Sequence, residues 1–477
     1  MESYKLNWKR LLEPKRVRDL VGGEPSERFD GELRSEFEKD YGRTVYSTPF
    51  RRLRDKAQVF PLEPNDSVRT RLLHSLEVSS VAEDIATQAV KDVIIPGSSI
   101  ALSPEQARDI PLIAATCGLI HDIGNPPFGH AGELAISTWF TTKFGESHEF
   151  LGDLGGRKSS YVQDFFNFEG NAQATRILSN VELLVHPYGL NLTAGTMAAA
   201  GKYIAPSNMV ETDKRHEFSK PGFFESEAYI VHLVREATGT IGTRHPITYL
   251  VEAADDIVYC SVDIEDGIRR RVLLWEEVEE TLLKQAEGSE LVIDVLNRAK
   301  KHASPLKGEG KAYFDALAQT FRIAAISKMA IAARQIFKLR YRDIMNGEYH
   351  GELLMDSQCE AAPLIKACKY TLRTNLYRHP DILRLEVRGR KVVHELLELF
   401  WEAVKNYEPS KRAKMSTKSY DAKLYFLLSE NYRRGFERRM EKMTENSLYC
   451  KLQLITDQVA GMTDAHACEV HKRLTNN

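Results

Sequence analysis

Apolar residues in this chain recur three and four positions apart over most of its length, and strand-like alternation is scarce, which restricts it to an all-α fold. The first strong run places Leu72, Leu73, Leu76, Val78 and Val81 on one side of a helix that Asp66 or Ser67 can cap. Ser103-Pro104-Glu105-Gln106 starts a second helix, with Ser103 as cap, Pro104 in the first turn and Gln106 as the capping-box partner. A helix follows Glu133 through Trp139 to Phe144, residues 145–160 read as a glycine-rich loop, and 171–184 is helical again. Residues 186–224, broken by Pro187, Pro206 and Pro221, read as an irregular insertion. Pro246 opens a long amphipathic helix that Gly267 should stop. Further helical runs cover 282–303, 312–345, 362–377, 390–407 and 420–443. We read residues 1–49 as a polar, surface-lying N-terminal arm that includes a Gly22-to-Ser26 loop, 50–275 as a helical core, and 276–477 as a helical extension packed on it.

The core carries one stretch in which chemistry and chain geometry coincide: Gly118-Leu-Ile-His-Asp-Ile-Gly-Asn-Pro-Pro-Phe-Gly-His-Ala-Gly-Glu133. The apolar run from Leu112 to Ile120 delivers His121 and Asp122 at a helix end, because Gly124 and Pro126-Pro127 forbid further helix. At a last turn, adjacent His and Asp side chains can share one cation, and imidazole with carboxylate suits a divalent ion that keeps positions for water and substrate. The alternative is a helix-end histidine bonded to a capping carboxylate. Asp255, Asp256 and Asp263 interrupt the apolar face of the helix from Pro246, and a buried carboxylate requires a cation or a donor. Helix geometry alone does not choose between Asp255 and Asp256.

A chain of 477 residues can bury a large core without a metal or disulfide, so a bound metal would serve function. Lys+Arg 65 against Asp+Glu 67 gives a net charge of -2, which excludes a surface built throughout to bind nucleic acid. The six cysteines show no regular spacing, so they read as packing residues of a reducing, cytoplasmic compartment. The charged N-terminus lacks a signal-peptide core, and no apolar run approaches the roughly 20 residues that cross a bilayer; no membrane partner is expected.

In chain order the candidate ligands are His74, His121, Asp122 and one aspartate of the Asp255-Asp256 pair, an order that resembles the HD phosphohydrolases. More narrowly, Arg69-Thr-Arg-Leu-Leu-His74, His121-Asp-Ile-Gly-Asn-Pro-Pro-Phe-Gly-His130, Phe168-Glu-Gly-Asn-Ala-Gln173 and Glu252-Ala-Ala-Asp-Asp-Ile-Val-Tyr259 look like motifs of bacterial deoxyguanosine triphosphate triphosphohydrolases. The closing Gly461-Met-Thr-Asp464 is also similar to that family's C-terminal pattern, while residues 1–45 and 276–450 are least covered.

The resemblance implies an HD-type core that releases intact triphosphate from dGTP, or from other dNTPs, by water attack at the α-phosphorus. It implies Asp255 as the fourth ligand beside His74, His121 and Asp122, holding Mg²⁺ or Mn²⁺, though the set also accepts iron, cobalt or zinc. Such an ion can polarise the α-phosphate and lower the pKa of water. The poor 5′-oxygen leaving group calls for an acid, for which His130 is the candidate, with Glu133 a helical turn on to orient its ring. Arg71, one turn before His74 and on the same face, is the candidate to supply positive charge for the triphosphate. By resemblance Lys202, Tyr203 and Lys220 contact phosphate, Gln58, Tyr259 and Asp263 bind the sugar, and Asn171 borders the pocket. The family pattern further implies a homo-oligomer, with a hexamer as one candidate, and single-stranded DNA as a candidate effector. Arg433, Arg434, Arg438 and Arg439 are the basic run that could reach a neighbouring site or stack with Tyr432 and Phe436 on bases; otherwise they form a solvated helix face. The competing functions are an HD-type phosphodiesterase on other nucleotides or RNA, and a non-catalytic nucleotide- or nucleic-acid-binding module.

Overall fold

The computed structural model describes residues 4–23, 31–60, 62, 68–98, 101–181, 186–211, 215–408, 419–442 and 446–475. Within these the fold is all-α, with two short parallel strands, Ala205–Pro206 and Pro221–Phe223, pairing inside the expected irregular insertion. That insertion also holds a helix at Ala194–Ala200, capped by Thr193.

Three helices form the frame of the site. Arg71–Ala89 crosses Pro104–Ile120, and both pack against Pro246–Arg269. The crossing is close because Gly118 has no Cβ: one placed there would lie 2.6 Å from Ser79 Cα. The Ser103–Gln106 capping box forms as predicted, with Ser103 accepting from Gln106 N–H and Gln106 accepting from Ser103 N–H. On its far side Pro246–Arg269 packs against the long helix Lys311–Asn346.

Several local expectations change. The segment before residue 50 is no surface arm, since Leu6, Trp8, Leu11 and Val17 are buried and Trp8 Nε1 donates to Tyr341 Oη at 2.8 Å. Arg16, also buried, pairs with Asp40 at 2.8 Å. On the Arg71–Ala89 helix Leu73 and Leu76 face solvent, whereas Arg71, His74, Val78, Ala82 and Ile85 turn inward: the buried face is the one that carries the site. That helix begins after Thr70; Asp66 and Ser67 lie outside the described residues.

The 145–160 loop contains the helix His148–Asp153, fixed by Phe150 stacked on Phe144 with ring centroids 4.2 Å apart. The helix predicted from 171 starts at Gly170, capped by Glu169, and widens after Arg176 into an i→i+5 turn; Leu184 is not among the described residues. Gly267 stays inside its helix and makes room for Leu273. The runs at 282–303 and 420–443 each split, into Trp275–Gln285 with Glu290–Ala303 and into Tyr420–Leu427 with Glu430–Lys442; Met443 lies outside the described residues, as do Glu24 to Ser26. All six cysteines are free thiols, five of them buried. No helix among the described residues is long and apolar enough to cross a membrane.

Candidate active site

A cavity of about 630 Å³ opens where the three frame helices meet the insertion, and all fourteen site residues expected from the sequence line it. Its centre is a cluster of His74, His121 and Asp255, whose ligating atoms lie within 4.8 Å of one another. His74 Nε2 is 3.2 Å and His121 Nε2 3.6 Å from Asp255 Oδ1. His121 sits at the C-cap of its helix, where Nδ1 donates to Gly118 O at 2.8 Å. That bond fixes the tautomer and leaves the Nε2 lone pair toward the cluster, buried and without a hydrogen-bond partner. A buried imidazole nitrogen with no donor, facing a second imidazole and a carboxylate, fits a divalent cation.

Asp122 stands beside this trio rather than within it. Its Oδ2 is 3.5 Å from His121 Nε2, but accepts from Arg71 Nη1 at 2.7 Å, while Oδ1 accepts from Asn125 Nδ2 at 2.5 Å. Burial alone would raise the Asp122 carboxyl, yet Arg71 and the two histidines hold it far below the ordinary carboxylate range. Burial likewise opposes Asp255, which His121, His74 and Lys202 hold at about 2. The two adjacent aspartates part company: Asp256 leaves the cluster to accept from Lys369 Nζ at 3.1 Å, and burial pushes it up to about 6.

His130 follows the Asn-Pro-Pro-Phe turn, in which Phe128 (φ 65°) and Gly129 (φ 57°) both take left-handed backbone to start the next helix, Gly129–Phe144. Its Nδ1 lies 2.7 Å from Glu133 Oε2, and Glu133 Oε1 accepts from Gly170 N at 2.8 Å. The bond to Glu133 raises the His130 pKa, favouring an imidazolium. The His130 side chain is 84% exposed, so a bound molecule can reach it.

The insertion closes the other side. Lys202 Nζ lies 3.9 Å from Asp255 Oδ2, and the ammonium groups of Lys202 and Lys220 stand 5.9 and 5.8 Å from the Tyr203 ring. Lys220 is anchored by Glu169, 3.0 Å away, whose other oxygen caps Asn171. Along the Pro246–Arg269 helix Tyr259 follows Asp255 by one turn and Asp263 by two. Asp263 Oδ2 accepts from Tyr377 Oη at 3.1 Å, its Oδ1 is buried with no partner, and burial pushes its carboxyl to about 7. Gln58 Oε1 is likewise buried without a partner.

Several lining residues lay outside the expected set. Lys369 and Glu386, from helices of the C-terminal half, and Tyr377, from the turn between them, stand where nothing in the local pattern marks them. His216, Glu252 and Glu352 form a second His-carboxylate group, but Arg244 pairs with Glu252 at 2.8 Å and Lys202 lies 3.7 Å from it, so its charge is already balanced. The Glu252 signal was legible, since it opens the Glu-Ala-Ala-Asp-Asp motif.

The basic run falls on Glu430–Lys442, and its aromatic residues are unavailable for base stacking: Tyr432 and Phe436 are buried in the core. Arg434 pairs with Glu430 at 2.5 Å, Arg439 donates to Gln453, and Arg433 lies over Tyr425 and Phe426.

Residues 71–178 match the family model of the HD domain. The chain is 34% identical over 476 residues to a deoxyguanosinetriphosphate triphosphohydrolase-like protein of Listeria monocytogenes, covering 98% of this chain and 99% of that one. A protein of the same description from Synechocystis is 35% identical over 98% of this chain and 99% of its own. The deoxyguanosinetriphosphate triphosphohydrolase of Yersinia enterocolitica is 31% identical, covering 95% and 96%. With the HD helices, a histidine-aspartate cluster in their cavity and relatives matched end to end, the chain belongs to the deoxyguanosinetriphosphate triphosphohydrolase-like family of HD-domain phosphohydrolases.

Proposed function

We propose that this phosphohydrolase converts dGTP, and other dNTPs to the extent that its pocket accepts them, to the deoxynucleoside and inorganic triphosphate by water attack at the α-phosphorus. The observation that carries this reading is that one cavity joins the His74, His121 and Asp255 cluster to a carboxylate-oriented histidine and to the two lysines of the insertion. His74, His121, Asp255 and the adjacent Asp122 would hold Mg²⁺ or Mn²⁺, which supplies a Lewis acid for the α-phosphate and makes water easier to deprotonate. His130, kept protonated by Glu133, donates its Nε2 proton to the departing 5′-oxygen. Arg71, Lys202, Tyr203 and Lys220 receive the triphosphate, with Arg71 also steadying Asp122 at its edge. Gln58 Oε1 and Asp263 Oδ1, both buried without partners, are acceptors for the sugar hydroxyl, with Tyr259 and Asn171 completing the wall.

The names of the relatives support dGTP as substrate and an inventory of free cysteines supports a reducing, cytoplasmic setting. We further propose a homo-oligomer, with the Glu430–Lys442 helix at its surface and single-stranded DNA as an effector held through phosphate charge alone. The test is chromatography of products after incubation with each dNTP and metal. Triphosphate and deoxynucleoside are expected; orthophosphate or pyrophosphate as the first product, or turnover of cyclic or polymeric substrates only, overturns the reading.

A further inference from the structure

The closing Gly461-Met-Thr-Asp464 motif has no part in the chemistry above, yet its aspartate is 2% exposed and reaches both sides of the cavity. Asp464 Oδ1 accepts from Phe128 N at 2.9 Å and Oδ2 from Ala57 N at 3.0 Å. Phe128 is the left-handed residue at which the Asn-Pro-Pro-Phe turn swings into the helix that presents His130. Ala57 precedes Gln58, and pairs in an isolated bridge with Thr70, the cap of the helix that presents His74. The neighbouring Lys56 tightens the same junction, donating from Nζ to Asn125 O and Ala460 O while its carbonyl accepts from Arg71 N at 3.0 Å.

We propose that Asp464 is a positioning residue: its two carboxylate oxygens clamp the turn that carries His130 to the segment that carries Gln58, so that acid and sugar contact are set at one spacing by the C-terminal end of the chain. Only a carboxylate suits the task. Both partners are N–H donors, and an ionised aspartate offers an acceptor to each, whereas an asparagine of the same shape turns a donor toward one of them. A left-handed non-glycine residue such as Phe128 persists only where its surroundings hold it, and the Asp464 bond does so. The inference rests on the proposed role of His130.

Two measurements on Asp464→Asn test it, one of them independent of activity. In hydrogen exchange by mass spectrometry, peptides covering residues 55–58 and 127–131 should lose protection in the variant, while those over the buried part of the Pro246–Arg269 helix keep it. Metal content should stay at the wild-type level. Unchanged exchange in both peptides, or loss of protection spread over the whole chain, overturns the proposal. In kinetics, misplacing the turn should lower kcat about 10- to 100-fold, and by less than about threefold when Asp464→Asn is added to His130→Ala, because residues acting as a unit are not additive. Val295→Ala, a core truncation in a remote helix, serves as the destabilised control and should leave kcat unchanged. Equal losses in both backgrounds would mean that Asp464 does not act through His130. Absence of dNTP turnover by the wild-type protein sinks the proposed function itself, and the exchange result then still decides whether the clamp exists.

Discussion

Arg71 donates through Nη1 to Asp122 Oδ2 at 2.7 Å, so the aspartate that follows His121 shares its charge with a guanidinium from the neighbouring helix. The guanidinium is therefore held 2.7 Å from a carboxylate that itself lies 3.5 Å from His121 Nε2. The trio of His74, His121 and Asp255 contributes no atom to this bond.

Arg71→Gln is expected to retain metal, because that trio is untouched, and to raise KM for dGTP about 10- to 100-fold, the scale of one lost charge-assisted hydrogen bond. Metal analysis and steady-state kinetics check it together. Loss of the metal would show instead that Asp122, held in place by Arg71, dominates the ligand set.

His121→Ala should lose metal and activity together, since its Nε2 has no other partner. His130→Ala should keep both metal and nucleotide binding while turning over about 10²- to 10⁴-fold more slowly. If metal falls equally in both variants, His130 has no separate role as acid.

Asp255→Asn and Asp256→Asn separate two neighbours that sequence position cannot. The first should abolish metal binding. The second should keep it and cost about 1 to 3 kcal/mol in stability, because Lys369 loses the charged end of its hydrogen bond. Metal loss from Asp256→Asn alone would reverse the assignment.

The pH profile carries a sign. His130 is raised by its bond to Glu133, with Arg71 and Lys220 opposing, and Glu386 also faces it. The acid works protonated, so kcat is full below the folded pKa and falls as pH rises through it, at a midpoint above the roughly 6.5 of a free imidazole. Glu133→Gln should move that alkaline limb down toward about 6.5. A limb that stays in place, or moves up, removes Glu133 from the tuning of His130.

Much of this site was legible because its residues sit at chain signals that physics makes visible. The capping box at Ser103, the breakers after His121 and the acids on an apolar helix face each mark a local conflict with ordinary packing. What the sequence hid depends on contacts across the fold. Leu73 and Leu76 suggested the wrong buried face, because periodicity cannot know that a helix turns its histidine and arginine inward. Trp8 and Arg16 looked like part of a polar arm, since single buried residues in a charged segment leave no periodic trace. Tyr377 and Lys369 enter from more than a hundred residues beyond Asp263 and Asp256, at a distance that no local pattern spans.

The Glu430–Lys442 helix gives the last prediction. Its two aromatic residues, Tyr432 and Phe436, are buried, so single-stranded DNA finds no aromatic ring to stack on there, and one of the arginines, Arg434, already pairs with Glu430. Binding through phosphate charge alone has a fixed signature: the logarithm of affinity falls with the logarithm of salt at a slope of about -0.7 per contacted phosphate. Fluorescence anisotropy of a labelled oligothymidylate across salt concentrations should therefore show weak, steeply salt-dependent binding. Changing Arg434 and Arg438 to glutamine should flatten the slope by about 1.4, two contacts' worth, and leave stability within about 0.5 kcal/mol, as expected of surface positions. DNA affinity that survives high salt, or is stronger for bases that stack well, would require exposed aromatic rings that this helix does not present, and would move the effector site elsewhere.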